Sequence, residues 1–97
     1  MAHYIMLASY TEQGIRTIQD TIKRADAVKE MAKKAGLEMK QTFWTLGQYD
    51  VVAVFEAPND EAMTAFALSV AKLGNVKTQT LRAFSPSDMQ AILQKVK

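Results

Sequence analysis

A chain of 97 residues with 48% apolar and 23% charged side chains and no cysteine is expected to be one domain, with neither disulfides nor a thiolate metal site to stabilise it. The net charge of +2 is dispersed: Lys23, Arg24, Lys29, Lys33 and Lys34 are interrupted by Asp26 and Glu30, with no interleaved aromatic residue, which argues against nucleic-acid binding. No apolar run approaches the ~20 residues of a membrane span, and Met1-Ala2-His3-Tyr4 leads straight into a strand pattern, so a soluble, cytoplasmic protein is expected.

The first strand is expected from His3 to Tyr10, with Ile5 and Leu7 on one face and Tyr4, Met6, Ala8 and Tyr10 on the other. Both faces are largely apolar, so both should be covered. Residues 11–20 read as a short turn broken at Gly14, with Ile15 and Ile18 as anchors into the core. A long helix follows, from an N-cap at Thr21 to a terminating glycine, Gly36. Its apolar side collects Ile22, Ala25, Val28, Ala32 and Ala35, and its polar side Lys23, Asp26, Glu30, Lys33 and Lys34. Arg24 breaks the pattern on the flank of the apolar side.

The second strand, from Leu37 to Leu46, is more polar, with Lys40, Gln41, Thr42 and Thr45. Gly47 then supplies a tight reversal into a third strand from Tyr49 to Ala57, where Val52 and Val54 oppose Val51, Ala53 and Phe55. Pro58 and Asn59 open a second helix with Asp60 and Glu61 in its first turn, Met63, Phe66, Ala67 and Val70 on its buried face, and Gly74 at its close. The fourth strand, Asn75 to Phe84, is polar for its length. Ser85-Pro86-Ser87-Asp88 starts a last helix, whose stripe is Met89, Ile92, Leu93 and Val96.

The order βαββαβ plus a C-terminal helix predicts an α+β, ferredoxin-like fold with antiparallel sheet order 4-1-3-2. Strand composition agrees, because the apolar strands one and three are central in that order and the polar strands two and four lie at the edges. Helices cover one face of such a sheet, yet the central strands are apolar on both. A second copy packed sheet to sheet is therefore expected to cover the other face, since Met6, Ala8, Val52 or Val54 would otherwise meet water. The alternative is a monomer whose last helix folds across it.

The turn Gly47-Gln48-Tyr49-Asp50, together with Ala57-Pro58-Asn59-Asp60-Glu61-Ala62 and Gly74-Asn75-Val76-Lys77-Thr78, resembles the GYD family of small domains over nearly the whole chain. Asn59 departs from the acid usual there, but caps a helix about as well. The family resembles the dimeric α+β barrels, which implies a homodimer or higher homo-oligomer.

Chemistry-bearing residues are few. There is no cysteine, no serine at a nucleophile elbow and no glycine-rich phosphate loop, and the single histidine cannot form a metal cluster with itself, so neither metal nor cofactor is expected. His3, Glu56 and Arg82 are the catalytic candidates, converging at one end of the sheet as an acid-base group. Trp44 and Phe43 are candidates to line a ligand pocket between the sheet and a partner copy. Tyr49 is expected near Tyr10, either orienting a ligand or bonding to backbone. Arg24 and Asp50 should form an ion pair tying the hairpin to the first long helix, the functional variant placing a ligand anion on Arg24 instead. Two readings follow: a non-catalytic or small-ligand-binding oligomeric module, and a cofactor-independent oxygenase or isomerase of the dimeric-barrel kind.

Overall fold

Alternation along the first strand decides the layering. In the computed structural model, which describes Met1–Lys97, β1 (Ala2–Tyr10) lies inside an antiparallel sheet of order β2-β3-β1-β4, with β2 (Glu38–Trp44), β3 (Val51–Ala57) and β4 (Val76–Ala83). This is the expected 4-1-3-2 order read from the other edge. Tyr4, Met6 and Ala8 pair with Phe55, Ala53 and Val51. Tyr4, Met6, Ala8, Ala53, Phe55 and Ala57 are buried, as are Ala32, Leu37, Met63, Phe66 and Val70 from the helical layer. The Phe55 and Phe66 rings meet at 5.3 Å between centroids, which joins the layers.

Two principal helices form that layer, α2 (Thr21–Lys34) and α3 (Asp60–Ala71), preceded by a short α1 (Glu12–Arg16) and a 3-10 turn at Ile18–Asp20. Asn59 caps α3 by accepting the Ala62 N–H, and Ser85 and Asp88 form a reciprocal capping box at α4 (Pro86–Leu93). Both starts are as the sequence predicts. At α2 the cap is Asp20, not Thr21, and it makes no side-chain cap bond. Thr21 is the first helical residue, which leaves its hydroxyl for other partners.

The opposite face of the sheet carries Ile5, Leu7, Val52 and Val54, half-buried, with exposed Phe43 and Leu81 beside them. Met6 and Ala8 are not part of it: they lie under the helices. No helix packs over this face. Instead of folding across the sheet, α4 makes no extensive contact with any other element, and its Met89 and Leu93 are exposed, as is Val96 just beyond it. The molecule is accordingly thin, 51 × 30 × 18 Å, its least dimension the depth of one sheet and one helix layer.

One expected anchor, Ile15, and two residues of the apolar side expected for α2 are also displaced, whereas the other anchor, Ile18, is half-buried. Ile15 and Ile22 are exposed, and Ala35 with them. The face that α2 turns to the sheet is Thr21, Arg24, Ala25, Val28, Met31 and Ala32, rotated so that Arg24 lies within it. In α1 the buried residue is Gly14, packed so tightly on the backbone of Asn75 that an added Cβ would meet the Asn75 carbonyl oxygen at 2.0 Å.

Candidate functional site

Beneath α2 the two layers do not close. A cavity of about 140 Å³ remains between α2, the helix-side face of the sheet and the connection from α3 to β4. Small side chains create it: Ala8 and Ala53 on the floor and Ala25 in the roof leave space that Met6, Met31, Met39 and Phe55 border without filling. Fifteen of its 19 lining residues are hydrophobic, counting Trp44 and Tyr10 among the aromatic walls, so the site is apolar with polar groups at one end.

A β-bulge shapes one wall. Met39 pairs with Phe55 but Gln41 with Val54, so Lys40 is an extra residue in β2. Regular alternation would send Met39 and Thr42 to opposite faces. With the bulge, Met39, Thr42 and Trp44 all line the cavity, while Lys40 reaches Glu38 at 3.3 Å and Glu56 at 3.5 Å. A bulge of this kind has no reliable signature in one sequence.

The polar end is centred on Thr21. Its hydroxyl accepts the Trp44 indole N–H at 3.0 Å and shares a 2.7 Å hydrogen bond with the Tyr10 hydroxyl. The Arg24 guanidinium carbon lies 6.0 Å from the Tyr10 ring centroid. Arg24 donates through Nη1 to the Thr17 carbonyl and hydroxyl at 3.1 and 2.6 Å, and through Nη2 to the Gly14 carbonyl at 3.1 Å. The expected Arg24–Asp50 pair is therefore not formed. Neutral oxygens from α1 and the turn after it hold the guanidinium, and these backbone acceptors leave no trace in the side-chain pattern.

Asp50 has a different partner. Its carboxylate accepts the Tyr10 backbone N–H at 2.9 Å, and its own N–H donates to the Ala8 carbonyl at 2.8 Å. The reversal between β2 and β3 is longer than a tight turn: the Thr45 N–H closes it onto the Asp50 carbonyl at 2.8 Å, and Gly47 adopts φ +123°, open only to glycine. Tyr49 does not pair with Tyr10. Its hydroxyl reaches Gln79 Oε1 at 2.8 Å on β4, beyond β1.

The acid-base candidates assemble only in part. His3 and Glu56 are register partners on the open face, but Arg82 pairs with Tyr4 and its guanidinium carbon lies 5.5 Å from the Tyr4 ring and 4.6 Å from the Phe84 ring, with Nη1 donating to the Ala83 carbonyl and to the His3 backbone carbonyl at 3.3 Å. Glu56 faces Lys40, and His3 Nε2 stands 3.9 Å from Asp88. The Ser85 N–H holds the Asp88 carboxyl below its usual range. Tyr4, buried, donates to Asp60 at 2.5 Å, and burial followed by that bond raises its pKa from 10.0. The cavity lining includes no histidine, aspartate or glutamate, so a substrate held there meets no conventional general base.

The family model of the GYD domain matches residues 4–93, nearly the whole chain. The chain belongs to the GYD domain family. This GYD domain is similar to the "Glutamine synthetase and cystathionine beta-lyase binding protein" of Thermus thermophilus, 32% identical over 95 residues that span 97% of this chain and 100% of that one. Among solved structures it resembles FFRP-DM1, with TM-score 0.61 and 16% identity over 87% of this chain and 100% of that one. It also resembles TTHA0845 from Thermus thermophilus, with TM-score 0.58 and 21% identity over 88% of this chain and 95% of that one. These likenesses establish the fold. No helix of this GYD domain is long and apolar enough to cross a membrane.

Proposed function

We propose that this GYD domain is a non-catalytic module that associates with itself through the open sheet face and engages other proteins. The carrying observation is the uncovered row of Ile5, Leu7, Val52 and Val54 flanked by Phe43 and Leu81, continued in kind by the exposed stripe of α4. A contiguous apolar face of this sort costs roughly 25 cal/mol per Å² while it meets water, and a second copy offers the self-complementary surface that removes it. The name of the Thermus thermophilus relative supports the protein-binding half of the reading and nominates glutamine synthetase and cystathionine beta-lyase as first partners to try. Cytoplasmic residence, expected from the sequence, belongs to the same proposal. So does a single-domain organisation.

Sedimentation at micromolar concentration tests the association, with Leu7→Lys as the disrupting variant. A wild-type dimer or larger assembly, and a folded monomer for Leu7→Lys, is the expected result. A wild-type monomer that binds no hydrophobic dye would overturn it. Interferometry against the two purified enzymes tests the second half: saturable binding to at least one is expected, and binding to neither removes the partner assignment while leaving the association intact. The oxygenase or isomerase reading draws no support from the site, because His3 and Glu56 stand on the open face and Arg82, though on the helix side, lies outside the cavity lining.

A further inference from the structure

We propose that the cavity beneath α2 binds a small monocarboxylate with an aromatic or branched aliphatic body, its carboxylate held at the Arg24, Tyr10 and Thr21 end. Its place on the helix side, opposite the open face, makes this independent of the association proposed above. Volume sets the body. An apolar cavity of about 150 Å³ is enough to take up benzene, and the 140 Å³ here is of the same size, lined by Met6, Val28, Met31, Ala53 and Phe55 among others. The space beneath α2 is thus about that of one substituted ring.

Charge sets the head group. Arg24 is the only charged residue in the lining, and each acceptor it meets is a neutral carbonyl or hydroxyl oxygen, so its positive charge has no anion beside it. The first turn of α2, which includes Thr21 and Arg24, adds the partial positive charge of a helix N-terminus.

The donor count agrees. Tyr10 and Thr21 bring two hydroxyl protons, one of which lies in the bond between them, while the Thr21 oxygen already accepts from Trp44. Whichever hydroxyl donates, the other proton is left for an acceptor. The Arg24 Nε–H and one Nη2–H are likewise uncommitted. A carboxylate, which accepts without donating, matches a hydroxyl and a guanidinium offered together; an ammonium accepts from neither, and an alcohol accepts without the charge that strengthens the bond to a guanidinium.

Trp44 is the only tryptophan, and its indole N–H bonds into this cluster, so it reports on the site. Titration of the full chain with benzoate, followed by Trp44 emission and by the indole N–H resonance, is expected to saturate. Benzyl alcohol should bind at least about tenfold more weakly and benzylamine not measurably. Arg24→Gln should weaken benzoate at least about tenfold while leaving benzyl alcohol unchanged, and Ala25→Leu, which fills the roof, should abolish both. Leu7→Lys, on the far face, should alter neither. Equal response to benzoate and benzylamine, shifts that never saturate, or benzoate binding untouched by Ala25→Leu would each overturn the proposal. Should Arg24→Gln fail to fold, the ligand series and Ala25→Leu still decide.

Discussion

The carboxylate of Asp50 takes the backbone N–H of Tyr10 at 2.9 Å, beside the Asp50 N–H to Ala8 carbonyl bond at 2.8 Å. β3 begins only at Val51, so the side chain of Asp50 supplies the acceptor that a longer strand would have supplied from its backbone. The sheet thereby keeps its hydrogen bonding at the point where the chain leaves it for the Gly47 loop. Removing a charged acceptor from a half-buried N–H costs about 1–3 kcal/mol. Asp50→Ala should lower unfolding free energy by about 2 kcal/mol in urea titration and speed exchange of the Tyr10 amide. A double-mutant cycle with Arg24→Ala should show coupling of about 0.5 kcal/mol or less, since no direct bond joins the two.

At Gly14 the expected response is harsher. An added Cβ would lie 2.0 Å from the Asn75 carbonyl oxygen, which also accepts the Thr11 N–H at 3.1 Å, so the neighbour that must yield is hydrogen-bonded backbone. Gly14→Ala should destabilise by about 2 kcal/mol or more, a fall in Tm on the order of 10 °C for a chain of this size. Because the Gly14 carbonyl also accepts from Arg24, the variant should perturb the cavity end as well, visible at the Trp44 indole.

Thr21→Val tests the cluster without changing its volume. The substitution removes the acceptor of the Trp44 indole N–H and the partner of the Tyr10 hydroxyl. A loss of about 1–2 kcal/mol and faster exchange of the indole N–H are expected. An unchanged indole exchange rate would show that Trp44 does not depend on this bond.

Tyr4 carries a pH dependence at the alkaline end. Its folded-state pKa is raised above 10.0, chiefly by burial and then by the bond to Asp60. Its contribution to stability is therefore complete below the unfolded value and is lost as pH rises through the folded one. Denaturation midpoints should decline above about pH 10, and Tyr4→Phe, less stable near neutrality by about 1 kcal/mol, should lose part of that decline.

Much of the architecture is legible in the sequence because burial writes itself into side-chain type. The apolar runs of β1 and β3 against the polar β2 and β4 point to the sheet order, and Asn59, Ser85 and Pro86 mark two helix starts. What escapes is carried by backbone or by geometry. Arg24 stands out as an anomaly in its helix, yet its partners are the oxygens of Gly14 and Thr17, and the two carbonyls among them could belong to any residue. Ile22 reads as part of the apolar side of α2 but is exposed, because α2 turns Arg24 and Ala25 to the cavity instead; Ile15 reads as an anchor, yet in α1 it is Gly14 that packs inward. The cavity depends on the Lys40 bulge, which no periodicity announces.

That bulge has a bearing on how copies of the protein can meet. β2 is an outer strand, and an outer strand with an intact ladder is a template on which further strands can add without end. Lys40 is an extra residue in that strand, and a bulge twists an edge away from regular pairing, while the Lys40 ammonium is tied to Glu38 and to Glu56 of β3. Lateral growth from this side is disfavoured, which suits the face-to-face association proposed above, a contact that closes on itself. The extra residue that shapes the cavity wall is thus also one that works against edge-to-edge addition of strands.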